Sequence, residues 1–577
     1  MDCREKILSN DYRDLIVDYV ISPDSANGFS QDICYHKVDD DLGIVYINKS
    51  SLPAINLSQA GYSFIPKCYG LMQLEAGNPV VNSLNTLSLD EAGILSVQQP
   101  PLSLSGQGTI IAFIDTGIRY QDEVFRDFAG RSRILAIWDQ TIQEKEPPQG
   151  FEYGTEYTKD DIDNALSSET PLEIVPSTDT VGHGSVMAAV ALGSRISDSR
   201  GTFVGAAPQS EIVVVKLKEI KPYLREYYSV PEGVACYSET DIIQAIQYVQ
   251  QFVSPLSRPV VICLGIGTSL GDHSGSGALG TYIEMLSRMK SRVFVIGGGN
   301  EGNASHHYRG EISLEEGYKD VELRVGSGEK GFVLDLWGQA PYFFGVTIRS
   351  PSGESIRWEN PRVALPQEFT FVFEQTRIIL DSLLVEQTSG AELIRFRFIQ
   401  PSQGVWTIRV NAETNTSENI QNSVFDMWLP ITQFLISDTF FLEASPYTTI
   451  TEPAYTYSAV TTATYQEAGR GVSIFSGRGY AVICFVKPDI SAPGTNVSTP
   501  YGVRSGSSVA AAITAGGCAL LMEWAVVRKN DILVSSLNIK NYLIRGATRQ
   551  SYISYPDRAY GYGMLNISGV FKFIAGI

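Results

Sequence analysis

The sequence predicts an α/β protein, a parallel sheet with helices on both faces, preceded by an α+β unit and interrupted by an all-β unit. Three observations carry this reading. Between about 106 and 305, short β-branched runs ("GTIIAFIDTG", "EIVVVKLKEI", "RPVVICLGIG", "SRVFVIGGGN") alternate with helical stretches such as "SETDIIQAIQYVQQFV". Unbroken apolar strands separated by helices belong to a parallel sheet covered on both faces. Between about 311 and 440 the pattern changes to short alternating strands ("DVELRVG", "GFVLDLWG", "IRFRFIQ", "GVWTIRVNAE"). Turn signals recur among them roughly every ten residues, as in a sandwich or jelly roll. Small, helix-prone sequence returns after about 450, so the β unit is an insertion.

The elements follow in order. Residues 1–98 mix strand-like runs such as "LGIVYINKSS" with a helix at "SLDEAGILSVQ", where Ser88 is placed to cap and Glu91 follows three residues on. "QQPPLSLSGQG" then breaks regular structure, because its two prolines fix the backbone and remove donors. The expected units are 1–98, 99–310, 311–445 (the insert) and 446–577.

Composition excludes several classes. The net charge of −19 disfavours nucleic acid and anionic membrane surfaces, both of which need clustered Lys and Arg. No apolar run is read as a membrane span. The start, "MDCREKILSNDYRDLIVDYV", carries charges where a signal peptide has its apolar core, so synthesis in the cytoplasm without usual export is expected. Seven scattered cysteines with no CxxC pair suit reduced thiols better than disulfides or zinc, and Cys263, Cys484 and Cys518 lie in apolar runs that suit core positions. No metal or cofactor is expected, and His306-His307 falls in a polar stretch that suits exposure.

Four strand or helix ends carry the chemistry. "IIAFIDTG" ends in Asp115, "DTVGHGSVMAAVALG" places His183 between glycines, "VFVIGGGNEGN" ends in Asn300, and "SGSSVAAA" places Ser508 at a helix start. In open parallel sheets such groups gather at the carboxyl ends of strands. Acyl transfer needs these types: a hydroxyl nucleophile, an imidazole to take its proton, a carboxylate to orient the ring, and a donor for the oxyanion. Taken singly, each residue suits a turn or a cap. A lipase-like reading fails, because no G-x-S-x-G elbow opens a helix after a strand and the acid precedes the histidine.

Through "AFIDTGI", "GHGSVMAA", "VGAAPQSEIVVVKL", "GGGNEGN", "KPDISAPGTNVSTPYG", "SGSSVAAA" and the late "YGYGMLN", the sequence resembles the subtilases, the subtilisin-like serine proteases. The resemblance implies a subtilisin-like fold, with Asp115 orienting the base, His183 as general base then acid, Ser508 as nucleophile and Asn300 as oxyanion donor. It places substrate pairing at Gly265, Ile266 and Gly267, and the pocket wall at Gly297, Gly298 and Gly299. Ser507 stands where the family usually has Thr, and Ala512 where it usually has Pro; neither removes a catalytic group.

Within the family, the unexported start, the leading domain with "FIPKCYGLMQ" and the insert resemble the Csp germination proteases of clostridia. That resemblance implies a prodomain over 1–98 that assists folding and then stays bound as an inhibitor. It also implies a rigidifying jelly-roll insert, a protein substrate such as the precursor of a spore cortex hydrolase, and packaging in the spore. A monomer is expected. Self-cleavage is placed at Gln98–Gln99, with Val97–Gln98 second, because the linker reads as extended and a proline just after the cut is poorly accepted. The competing expectation is a non-catalytic regulatory protein whose cleft is permanently plugged.

Overall fold

The computed structural model describes residues 1–17, 33–57, 64–76, 84–313, 315–358, 365–413 and 422–576. Its centre is an eight-stranded sheet in the order Ile490–Thr495, Val460–Gln466, Arg292–Gly297, Val260–Leu264, Ile110–Asp115, Glu211–Lys216, Ile134–Asp139, Thr155–Thr158. Only the last pairing is antiparallel. Successive side chains of a strand point to opposite faces, so each central strand feeds two cores. Ile111, Phe113, Val261, Cys263, Val293 and Val295 pack with the helices His183–Leu192 and Ser507–Met522. Ile110, Ala112, Ile114, Val260, Ile262 and Phe294 pack with Glu239–Val253 and Ala278–Ser287 on the other face. The Ser507–Val527 stretch is long and apolar enough to cross a membrane, but 89% of its apolar window is buried, as in the core helix of a folded domain.

The N-terminal unit is a three-stranded antiparallel sheet, ordered Tyr12–Val17, Gly43–Asn48, Ile33–Lys37, behind the short helix Cys3–Leu8. It sits on the helix Glu239–Val253, where Asp14 accepts from Thr240, Tyr46 accepts from Gln244, and His36 meets Gln247. Two cysteine expectations are corrected here. Cys3 and Cys34 are joined by a disulfide, because the helix packs directly against that strand. Cys484 is exposed in a turn, whereas Cys263 and Cys518 are buried.

The insert consists of two antiparallel sheets over one apolar core, with strands running from His307–Ile312 to Phe440–Phe441. Phe332, Leu334, Phe396 and Phe398 from the six-stranded sheet face Leu323, Val346, Trp406 and Ile408 from the five-stranded one. Its outer face closes on the α/β unit through a fully buried Arg395–Asp335 pair beside Tyr227.

The stretch read as one helix over 88–98 is two short ones, Leu87–Glu91 and Ile94–Val97, because Gly93 between them takes a left-handed conformation (φ 65°). Thr86 rather than Ser88 precedes the first, and the Ser88 hydroxyl instead bonds Glu467. Leu89, Ile94 and Val97 are buried in the same core as the central sheet. A unit boundary at residue 98 is therefore corrected: these residues pack as part of the α/β unit.

Candidate active site

The strand Ile110–Asp115 delivers a buried carboxylate at its C-terminal end, held by the Thr116 N–H at 2.7 Å. His183 opens the helix His183–Leu192. Gly184 follows it because a Cβ there would lie 2.2 Å from the Gly117 carbonyl, so only glycine lets the helix approach this strand end. His183 Nδ1 meets the two Asp115 carboxylate oxygens at 2.8 and 2.9 Å, and its Nε2 lies 3.0 Å from Ser508 Oγ. Ser508 sits in the first turn of Ser507–Met522, fully buried. Asn300 follows the strand Arg292–Gly297; its Oδ1 accepts from the Ser507 N–H at 3.0 Å, which aims its Nδ2 into the cleft. Asp115, His183, Ser508 and Asn300 are thus brought together across nearly four hundred residues of chain.

Burial pushes the His183 imidazole down, but the Asp115 charge and hydrogen bond, the Met72 carbonyl and Asp179 together outweigh it and hold the ring above its ordinary value. Asp179 escaped the sequence reading. Its carboxylate accepts from Thr116 Oγ1, the Gly182 N–H and the Ser185 N–H and hydroxyl, all around His183. Its signal was its place four residues ahead of the histidine, in a loop that must hold a ring still.

The cleft is filled by the chain's own segment. Strand Cys68–Leu71 lies antiparallel between Cys236–Ser238 and Ile266–Gly267, with Gly70 paired to Cys236 on one side and to Gly267 on the other. The Met72 N–H donates to the Gly265 carbonyl at 2.9 Å. Ser508 Oγ donates to the Met72 carbonyl at 2.9 Å, and Asn300 Nδ2 donates to the Gln73 carbonyl at 2.9 Å. Beyond them Glu75 and Ala76 pair with Ser505 and Arg504, so extended chain runs on both sides of the serine. Gly265, Ile266 and Gly267 therefore line this segment through main-chain groups. Gly297 makes room for the Met72 side chain, since a Cβ there would lie 2.6 Å from its sulfur. Gly298 and Gly299 continue that wall, Gly299 in a left-handed conformation against Thr451. A cavity of about 470 Å³ remains beside Met72 and Gln73, lined also by Thr451 and by Ile431 and Gln433 of the insert.

Gln98 and Gln99 are not part of this site, which corrects the expected cut. Gln98 caps a helix and its amide donates to the Ala206 carbonyl at 2.9 Å. Ser105 and Gly106 then donate to Glu523, just past the far end of the helix that begins beside Ser508. At 1.5 Å per residue that helix sets them roughly 22 Å from the serine. The prolines were a correct break signal, but the break is a packed turn rather than a free linker. His306 and His307 are likewise buried rather than exposed. Among the described residues, no group of three or more His, Cys, Asp or Glu is placed to hold a metal ion.

Comparison with known proteins places this geometry. The solved structure of the Clostridium perfringens CspB protease superposes with a TM-score of 0.73 at 29% identity, covering 85% of this chain and 99% of that one. The subtilisin-like protease SBT3.4 of Arabidopsis thaliana is 25% identical over 528 residues, 80% of this chain, which spans 62% of that protein's length. The subtilase family profile matches residues 106–563, from just ahead of the Asp115 strand to beyond the Ser508 helix, and the chain belongs to the subtilase family.

Proposed function

We propose that this protein is a serine endopeptidase that cuts its own chain once, after Gln73, and keeps the N-terminal piece in its cleft. The observation that carries the reading is the course of residues 68–76: an extended peptide is paired on both sides, with its Met72 carbonyl on Ser508 Oγ and its Gln73 carbonyl on Asn300 Nδ2. In the proposed step His183 Nε2 takes the Ser508 proton as Oγ attacks the Gln73 carbonyl carbon. Asp115 holds the resulting imidazolium, and Asn300 with the Ser508 N–H faces the oxyanion. His183 then passes its proton to the Leu74 nitrogen as the peptide bond breaks, and water later frees the acyl group.

The N-terminal unit supports the role of a retained inhibitor, since its sheet rests on the helix Glu239–Val253 while its tail fills the cleft. By the resemblance to the germination proteases, the substrate in trans is proposed to be the precursor of a spore cortex hydrolase, met in the spore by a monomeric enzyme.

The test is intact mass under denaturing conditions, wild type beside Ser508→Ala. Two pieces split at Gln73 in the wild type and one chain in the variant are expected. A single chain in both would favour the regulatory reading, for which the filled cleft is the supporting observation.

A further inference from the structure

We infer that the cleft carries a subsite for a lysine or arginine side chain of the substrate, built by Glu239, Asp272 and Glu452 and entered five residues ahead of the Met72 position. The inference rests on the protease reading above.

Lys67 of the occupying segment already shows the mode of binding. Its N–H donates to Glu239 Oε2 at 2.9 Å, and its carbonyl accepts from the Glu239 N–H at 3.0 Å. Its ammonium lies 3.7 Å from Glu239 Oε1, with the lysine side chain only 10% exposed. One glutamate therefore reads both the backbone and the charge. Glu239 is fixed in turn by the Leu279 N–H. Gly277 opens the way, since a Cβ there would lie 2.7 Å from Lys67 Nζ. Glu452 and Asp272 complete the hollow. Glu452 is held by the Gly275 N–H, and Asp272 by the Ser274 and Ser276 hydroxyls. Burial, with Asp272 alongside, pushes the Glu452 carboxyl up to about 8.

A cavity of about 320 Å³ continues from Lys67 past Asp272, Ser276 and Glu452 to Trp337 and Glu386 of the insert. It leaves room for a guanidinium, which is longer and offers more donors than an ammonium. Removing Lys67 from these carboxylates would leave buried charge without a partner, which is costly. A substrate that returns a cation to the hollow regains that interaction, and one that brings an apolar or acidic side chain does not. Discrimination of this kind exceeds what shape alone supplies.

The experiment uses the wild-type protein and four peptides spanning residues 65–76 of this chain, with Lys, Arg, Met or Glu at the position of Lys67. The Lys and Arg peptides should show kcat/KM about tenfold or more above the Met peptide, with the Glu peptide slowest. In Glu239→Gln protein the Lys-to-Met ratio should fall toward one. The same series placed in the full chain (Lys67→Arg, Lys67→Met, Lys67→Glu) should rank the rate of self-cleavage in the same order, and it decides the matter if the retained piece blocks every peptide. Equal rates for Lys and Met would overturn the subsite while leaving the protease standing. No cleavage of peptides or chain would overturn the protease reading, and the subsite with it.

Discussion

Among the described residues two Asp–His pairs are buried, and their second nitrogens meet different partners. At the C-terminal edge of the central sheet, His183 meets Asp115 through Nδ1 and Ser508 Oγ through Nε2. At the start of the insert, His307 meets Asp426 through Nε2 at 2.9 Å and the Tyr447 carbonyl through Nδ1 at 2.5 Å, with its ring stacked on Trp428. Arg309 also bonds Asp426, and His273 stacks on the same tryptophan. Both nitrogens of His307 thus face oxygens that only accept, so the ring has no nitrogen with which to receive a hydroxyl proton. The pairing of Asp with His is therefore not itself a sign of catalysis; what the second nitrogen meets decides the role.

The sharpest break of the comparison is His183→Ala beside His307→Ala. The first should lower self-cleavage by about 10⁴-fold or more, and it should lower Tm as well, because it strips a partner from the buried Asp115. The second should spare processing. It strips a partner from the buried Asp426, a loss worth about 3 kcal/mol, and should lower Tm while leaving a protein that still splits. Processing that survives His183→Ala would refute the assignment of the base. Asn300→Ala comes next: it should slow splitting about 10²- to 10³-fold, as loss of one oxyanion donor does, without moving Tm by more than the lost Ser507 contact.

Protonation sharpens the same contrast. In the proposed step His183 acts as a base only while Nε2 is free, and its ring is held above its ordinary value of 6.5. Self-cleavage should therefore rise with pH and reach half its plateau above 6.5. The stability that charged His183 adds runs the other way: it is fully present below 6.5 and is lost as pH rises through the folded value. For Asp426, burial pushes the carboxyl up, but His307 and Arg309 outweigh it and hold the group below 3.8. Its contribution is present above 3.8 and lost only in acid, so the first pair should shape both rate and unfolding above pH 6.5 and the second only unfolding in acid. A rate profile flat between pH 5 and 8 would remove His183 as the titrating base.

The sequence carried one of these pairs and not the other for a physical reason. Asp115, His183, Asn300 and Ser508 lie in short stretches whose glycines and small residues are dictated by close approach, as at Gly184 and Gly297, so the local pattern exposes the site. His307 reads as part of a polar stretch because its partners Asp426 and Tyr447 lie more than a hundred residues on and no local pattern marks them. The same limit explains the misplaced cut. "QQPPLSLSG" looks like a linker, and only the contacts of Ser105 and Gly106 with Glu523 reveal it as a packed turn. "GLMQLEA" has no local feature of a cleft ligand; its role comes from strands at 236–238, 266–267 and 502–505 that close around it. The parallel sheet and the insert were legible because apolar periodicity is a local property, and the Cys3–Cys34 bridge was not, because pairing is set by the fold.

Gly70 tests how closely the insert supervises the cleft. A Cβ at this position would lie 1.6 Å from Gln433 Nε2 and 2.6 Å from Ile431 Cδ1, both of the insert. Gly70→Ala should therefore loosen the strand by about 1–3 kcal/mol, as overpacking does, and slow self-cleavage severalfold. Gln433→Ala in the same chain should restore the rate, because the offending atom is the far end of a side chain with no hydrogen-bond partner of its own. A double variant as slow as Gly70→Ala would mean that the glycine is required for its backbone alone.

The smallest effect concerns the hollow around Lys67. Glu452 is a third buried carboxyl, and unlike Asp115 and Asp426 it has no histidine. Burial, Asp272 and Glu239 push it up to about 8, while the Gly275 N–H and Lys67 pull it down. A raised carboxyl adds stability that is complete below its ordinary 4.5 and is lost as pH rises through about 8, at about 1.4 kcal/mol per pH unit within that window. Glu452→Gln keeps the shape and removes the titration. Its Tm relative to wild type should therefore climb steadily between about pH 5 and pH 8 and then level off. A difference that is constant with pH would mean that the Glu452 carboxyl is ionised throughout.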